Sequence, residues 1–217
     1  MRGLGVAYSD TLVFAGIDLT IAAGESLVVM GPSGSGKSSL LACVTGMLVP
    51  TSGSVQVAGE NMSSMSAAQR ARLRRKALGL VFQDADLLPE LSVAENVALT
   101  LLFDGRARAA ALRRAGEALA AVGLDGHGDK RTDQISGGQA QRVALARALV
   151  RPSMKLLVAD EPTASLDAKN ARQVTALLLE HTRRLGAGAL VATHDPLVAQ
   201  ACDGVLHLHE DHVELSR

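Results

Sequence analysis

Gly31-Pro32-Ser33-Gly34-Ser35-Gly36-Lys37-Ser38 satisfies the pattern G-x-x-x-x-G-K-[S/T], and its flanks decide how it is read. Just before it, residues 26–30 form a short apolar run that starts after a Gly-Glu turn, as a buried strand does. Just after it, residues 38–48 read as a helix that must end before Pro50. A strand, a glycine loop and a helix start, in that order, make an anion cradle. Glycines let the backbone wrap an anion without Cβ clashes, so successive N–H groups and the helix N-terminus converge on phosphate oxygens. Lys37 then brings a positive charge to the β- and γ-phosphates, and Ser38 a hydroxyl to Mg²⁺. A chance match in a chain of this size is on the order of one per cent at average glycine usage, so an ordinary glycine-rich turn is a poor reading.

Farther along, Leu156-Leu157-Val158-Ala159-Asp160-Glu161 ends a short apolar strand on two carboxylates. Open α/β sheets bind their ligands at that edge. Asp160 suits the metal site. Glu161, one residue on, reaches the space beyond the γ-phosphate, where it can orient and deprotonate an attacking water as general base. Alone, such a pair is as often two solvated acids; together with the glycine loop it points to a nucleoside triphosphatase.

The bulk properties narrow the class. The chain has 217 residues, 47% of them hydrophobic, enough to bury a core of its own. Lys plus Arg equals Asp plus Glu at 22 each, so no basic field recommends a nucleic-acid partner. Cys43 and Cys202 stand far apart without metal-ligand spacing, which fits core residues in a reducing compartment. No apolar run approaches the roughly 18 residues of a membrane span, so any membrane role requires a partner.

Strand-helix alternation fills most of the chain. A β-like pattern covers 12–21, an extended segment 53–59, a Ser-capped basic helix 66–76 and a strand 78–82. From 84 to 135 the character turns helical, with an apolar helix over 93–103 and an Ala/Arg-rich one over 106–122. Beyond it come a strand over 155–159, a helix over 168–184, a strand over 189–193 and a closing hairpin from 205–208 and 213–215. The fold class is α/β with an inserted helical lobe.

Ser136-Gly137-Gly138-Gln139, opening an apolar-periodic helix through Leu149, is a second hydroxyl-and-bare-backbone nest at a helix start. One phosphate chain scarcely needs two. Here the chain resembles the ATP-binding cassette family, whose signature stretch LSGGQ completes the ATP site of the opposite subunit; this chain has ISGGQ. Ile135 for Leu keeps the apolar volume.

The resemblance spans essentially the whole chain and implies a P-loop NTPase core of the ABC ATPase type. It implies an antiparallel β subdomain and an inserted helical subdomain as well. A single nucleotide-binding domain is expected over 1–217: core and β subdomain from 1–83 and 136–217, helical subdomain from 84–135. By the same resemblance Gln83 is the Q-loop glutamine near metal and attacking water. Ser165-Leu166-Asp167 is the D-loop that crosses the dimer interface, and His194 in Thr193-His194-Asp195 is the switch histidine on the γ-phosphate. Tyr8, the single tyrosine, stands at the spacing of the aromatic that stacks on adenine, and Ser39 joins 31–38 in holding nucleotide. The expected cofactors are ATP and Mg²⁺.

Arg74-Arg75, residues 79–83, Leu87-Leu88-Pro89 and residues 93–97 look like the branch of lipoprotein-releasing, macrolide-export and cell-division ATPases. That branch implies a homodimer sandwiching two ATP and an integral-membrane permease of the cell-division X type. It further implies a peripheral position on the cytoplasmic face of the cell membrane. Two features depart from it: Ala164-Ser165 stands where Gly-Asn is common, and the amino terminus is short before Tyr8, so that either the start is late or the strand expected there is reduced. Repair ATPases of this family need a long coiled coil and translation factors two cassettes, and this chain has neither. A cell-division-type regulatory role without cargo is the alternative expectation.

Overall fold

The structure is a computed structural model that describes residues 1–9, 11–164, 166–209 and 213–216. Two strands open it, β1 (Arg2–Tyr8) and β2 (Thr11–Ile17), followed by β3 (Ser26–Met30) and helix α1 (Lys37–Val44). Short strands β4 (Ser52–Ser54), β5 (Gln56–Val57) and β6 (Glu60–Asn61) lead to α2 (Ala67–Ala77) and β7 (Leu78–Val81). Then come three helices, α3 (Val93–Phe103), α4 (Arg108–Ala121) and α5 (Gly137–Leu149). Strand-helix alternation returns with β8 (Leu156–Asp160), α6 (Ala168–Leu185), β9 (Gly188–Ala192) and α7 (Pro196–Ala201). The hairpin of β10 (Gly204–Leu208) and β11 (Val213–Ser216) closes it.

The main sheet has the order β11-β10-β3-β9-β8-β7, parallel apart from β11. Both faces are covered, which is why its strands read as continuous apolar runs rather than as alternation. Period two still sorts the side chains. Leu157, Ala159, Ala189 and Val191 join the core that α3, α4, α5 and α6 build on one face. Leu27, Val29, Val158, Leu190 and Ala192 join the other core, with α1 and the antiparallel sheet β2-β1-β4. Because the strands are in parallel register, Asp160 at the end of β8 pairs with Ala192 at the end of β9. The carboxylates and the residues after β9 therefore leave the sheet along one edge, the edge at which β3 runs into Gly31.

Local chemistry explains the helix starts. Ser66, Ser92 and Ser136 each build a reciprocal capping box with Gln69, Glu95 and Gln139. Fully buried Asn96 stitches the preceding loop to α3: it accepts from Leu88 N at 2.7 Å and donates to the carbonyls of Leu88, Leu91 and Ser92. In α4, Ala111 and Ala115 are wholly buried beside Leu119, so the small side chains let this helix lie close on its neighbours.

Four expectations shift. The helix after the glycine loop ends at Val44, not at residue 48, because Gly46 turns left-handed (φ 67°). A Cβ there would also stand 2.6 Å from Met62 Cε. The pattern over 12–21 is strand only to Ile17, beyond which Asp18 caps Gly3 N at 2.8 Å. The stretch 53–59 divides, β4 pairing with β1 and β5 with β6. The amino-terminal strand is not reduced: β1 is seven residues long and pairs on both sides. Among the described residues no helix is long and apolar enough to cross a membrane.

Candidate functional site

The loop from β3 to α1 is shaped by its glycines. At Gly31 a Cβ would stand 2.4 Å from Leu208 O and 2.7 Å from Ser35 Oγ, so only glycine allows this approach. Gly36 is left-handed (φ 94°) as the N-cap of α1 and packs where a Cβ would meet Val13 Cγ1 at 2.6 Å. Gly34 is left-handed too, but the space beside it is open. Ser35 Oγ is buried without a hydrogen-bond partner, the kind of donor that calls for a ligand in a native site. Lys37 Nζ arches back over the loop and donates to Gly31 O at 2.7 Å and Pro32 O at 2.9 Å. Pro32, Ser33, Gly34 and Ser38 are exposed, so the cradle faces outward. Unpaired α1 N–H groups, a buried spare hydroxyl and a lysine fit a polyphosphate.

Beside the cradle, Ser38 Oγ donates to Asp160 Oδ2 at 3.3 Å. A hydroxyl and a carboxylate are the few hard-oxygen ligands that Mg²⁺ takes from protein when phosphate and water fill the rest of its shell. Burial raises the pKa of Asp160, and the neighbouring Glu161 charge adds to this, while the Ser38 hydrogen bond and the Lys37 charge oppose it. Glu161 has a left-handed backbone (φ 46°), costly for a residue with a Cβ, and its N–H donates to Ala192 O at 2.8 Å. Both of its oxygens are engaged: Oε2 accepts from Thr193 Oγ1 at 3.0 Å and Oε1 lies 2.8 Å from His194 Nδ1. The carboxylate is 15% exposed, the imidazole 77%. The Glu161 hydrogen bond, reinforced by its charge, raises the pKa of His194.

Other predicted residues fall at different distances from this centre. Tyr8, 52% exposed, shares a 3.2 Å hydrogen bond with Ser39 Oγ, which ties the aromatic to the first turn of α1. Exposed Gln83 lies two residues beyond the Val81–Ala159 pair, as Glu161 does on the adjacent strand. Asp167 caps α6 by accepting from Lys169 N and Asn170 N, both at 3.0 Å, and Asn170 Oδ1 accepts from Arg142 of α5 at 2.7 Å. Leu166 packs against Gly138, where a Cβ would come within 3.1 Å. Ser165 lies outside the described residues. Ser136 and Gly137 are exposed at the start of α5, Gln139 reaches His127 Nε2 at 3.4 Å, and among the described residues no hydrogen bond links 136–139 to 31–38. Thr193 escaped the sequence reading as a ligand of Glu161, since a wholly buried threonine after an apolar strand looks like core. The same holds for Gln141, Asn170 and Arg147, which carry no motif-like spacing.

A phosphate cradle, a hydroxyl–carboxylate pair and a histidine-held glutamate at one sheet edge, with a second nest elsewhere, define a P-loop nucleoside triphosphatase of the cassette class. Comparison with known proteins agrees: residues 14–164, well over half of the chain, match the profile described as ABC transporter. The chain belongs to the ABC transporter family. It is similar to the lipoprotein-releasing system ATP-binding protein LolD of Xanthomonas axonopodis pv. citri, at 45% identity over 92% of this chain and 82% of that protein. LolD 1 of Rhodospirillum rubrum is likewise 45% identical, over 93% and 88%. Among solved structures, a dimeric ATP-binding cassette in a post-hydrolysis state with ADP and Pi matches all of this chain and 97% of its own, with TM-score 0.89 and 31% identity. The chain thus binds ATP with Mg²⁺, hydrolyses it, and serves a separate membrane permease.

Proposed function

We propose that two copies of this chain sandwich two MgATP and drive a permease of the cell-division X type that extracts lipid-anchored proteins from a membrane. The observation that carries the sandwich is the pair of exposed nests, 31–38 and 136–139, between which the described residues make no hydrogen bond. Each is half of a site, and a second copy supplies the other half. The cargo and permease type rest on the names of the similar lipoprotein-releasing subunits and on the stretches around Phe82 and Pro89.

In this reading the backbone of 31–38, with Ser39, holds the phosphates, Lys37 neutralises the β/γ oxygens and Tyr8 stacks on adenine. Ser38 and Asp160, with Gln83, hold Mg²⁺, which when bound offsets phosphate charge. Glu161, held between Thr193 and His194, accepts the proton of the attacking water, and His194 contacts the γ-phosphate. Ser136, Gly137, Gly138 and Gln139 face the partner's ATP, with Asp167 near the crossing. Residues 84–135 form the helical lobe, and the remainder forms the core and β subdomain. An open groove of about 480 Å³ beside this lobe is lined by Phe82, Phe103, Arg74, Arg75 and Arg147. Phe103 is 66% exposed there, an apolar side chain in a groove that several arginines and Asp86 also line, which suits a short permease segment. The subunit then sits on the cytoplasmic face of the membrane, peripheral through that contact.

The test is purification of the Glu161→Gln chain from native membranes with ATP, with and without Phe103→Asp. Co-purification of a permease carrying a large extracytoplasmic domain, lost with Phe103→Asp, is the expected result. Recovery of soluble partners alone would overturn the transport reading.

A further inference from the structure

The helix that opens on Ser136 also grips the Gln83 loop along its length. Gln141, 3% exposed, donates from Nε2 to Phe82 O at 3.2 Å. Farther along the same helix, Arg147 donates from Nη1 to Asp86 O and from Nη2 to Ala85 O, both at 2.7 Å. Gln83 and Asp84 therefore hang between two anchored points, the Phe82 carbonyl on one side and the Ala85–Asp86 carbonyls on the other. The anchorage is not neutral for the backbone. Asp86 sits in the left-handed region (φ 45°), where a residue with a Cβ does not settle unaided, and its carbonyl is one of the two that Arg147 holds. The guanidinium is half-buried at this point, and burial lowers its pKa while the Asp86 charge opposes the shift. Two adjacent carbonyls need the rigid two-armed donor that arginine is and lysine is not.

We infer that Gln141 and Arg147 are positioning residues for Gln83: the α5 clamp sets where that glutamine stands relative to the metal and the attacking water. The inference rests on the role of Gln83 under Proposed function. It gives α5 two tasks on one rod, since at a rise of about 1.5 Å per residue the helix start at Ser136 and Arg147 lie only about 16 Å apart along the axis. Its N-terminus faces the ATP of the partner copy, and its flank sets the loop that serves its own ATP. A tilt of α5 on dimer closure moves both together. Both act on Gln83 through backbone carbonyls of its loop, so they are positioning residues rather than catalytic ones.

The experiment is a double-mutant cycle on steady-state MgATP hydrolysis by the full chain, with Arg147→Lys, Gln141→Ala, Gln83→Ala and the pairwise doubles. Arg147→Lys keeps the charge and the aliphatic stem, so the lobe stays folded, which thermal melting checks. Misplacing a group by about 1 Å costs on the order of tenfold to a hundredfold in rate. Arg147→Lys is therefore expected to lower kcat by about tenfold while the ATP dissociation constant stays within about twofold. The Mg²⁺ concentration for half-maximal rate should rise, which a merely structural loosening would not produce. Combined with Gln83→Ala, Arg147→Lys should cost no more than Gln83→Ala alone, and Gln141→Ala should behave likewise. Losses that multiply in the doubles would overturn the clamp, as would a kcat loss that follows melting temperature alone. Wild-type kcat in Gln83→Ala alone would remove the role of Gln83 and the clamp with it. The effect of Glu161→Gln on hydrolysis stands apart from either result, so failure of the ATPase reading remains distinguishable.

Discussion

Replacing Glu161 by glutamine isolates the chemistry of one carboxylate better than any other single change. The backbone there is left-handed (φ 46°), and glutamine bears that conformation as glutamate does. Its amide oxygen can still accept from Thr193 Oγ1, now 3.0 Å from Oε2. What disappears is the negative charge facing His194 Nδ1 at 2.8 Å. With His194 77% exposed, such a pair contributes only about 0–1 kcal/mol to stability. Folding should thus change little, while the proton acceptor is gone. Positioned general bases are worth roughly 10²–10⁴ in rate, or about 2.7–5.4 kcal/mol of barrier. The ATP cradle keeps Lys37 and every loop N–H group, so ATP affinity should hold within about threefold, less than about 0.7 kcal/mol. The assay is phosphate release at saturating MgATP, with nucleotide binding and gel filtration on the same preparation. Turnover down by at least about a hundredfold, with ATP retained and a dimer accumulating, is the expected picture. A variant turning over within twofold of the parent would refute the assignment.

The remaining predictions concern the cradle and its neighbours. Lys37→Ala removes the cation that now rests on Gly31 O and Pro32 O, and ATP affinity should fall at least tenfold, about 1.4 kcal/mol; titration with nucleotide checks it, and unchanged affinity removes Lys37 from the β/γ oxygens. His194 should titrate above an ordinary histidine, because Glu161 stabilises its protonated form. A raised folded-state pKa means that the contribution of the pair is complete below the unfolded value and fades as pH rises through the folded one. NMR titration of the imidazole should find the midpoint moving down in Glu161→Gln, and an unmoved midpoint would show that the two groups are not coupled. Gly36→Ala places a Cβ at φ 94° against Val13 and Phe14; a cost of about 2 kcal/mol corresponds to a melting point lower by about 4–8 °C, and an unshifted melt would refute the steric reading.

How far the sequence carried the fold can be judged element by element. The helix over 93–103 coincides with α3 because its start is written in Ser92 and Glu95, three residues apart, and the apolar face follows at once. The short strands before the glycine loop and before Asp160 were legible because they are buried on both faces. The end of α1 was not, since Gly46 stops the helix partly through Met62, a contact that no local pattern records. Helix α7 begins with Asp195 as cap and Pro196 in its first turn, a start written locally in the sequence, though the helix is only six residues long. At the site, contiguous motifs declared themselves while non-local pairings stayed hidden. Tyr8 and Ser39 are 31 residues apart and Thr193 and Glu161 are 32 apart, and spacing of that kind carries no distance in space.

The same distinction explains why one chain holds two anion nests and the means to link them. Each nest is a helix start with small residues before it, α1 after Gly36 and α5 after Ser136, so each concentrates unpaired N–H groups and the positive end of a dipole at one point. Capping boxes satisfy part of that demand at α5, through Gln139 N and Ser136 N, whereas α1 has no side-chain cap at all. The nest without a cap is therefore the one that gains most from a bound polyphosphate, and in the proposed dimer the capped one would meet the partner already in shape. In the proposed dimer, ATP first satisfies α1, and the second copy then closes over it with α5 already in shape. Closure is favoured by ATP only to the extent that ATP binds the closed state more tightly than the open one. In the proposed dimer, Ser136 and Gly137, both exposed in the single chain, would make their contacts only in the closed state and so would supply that difference.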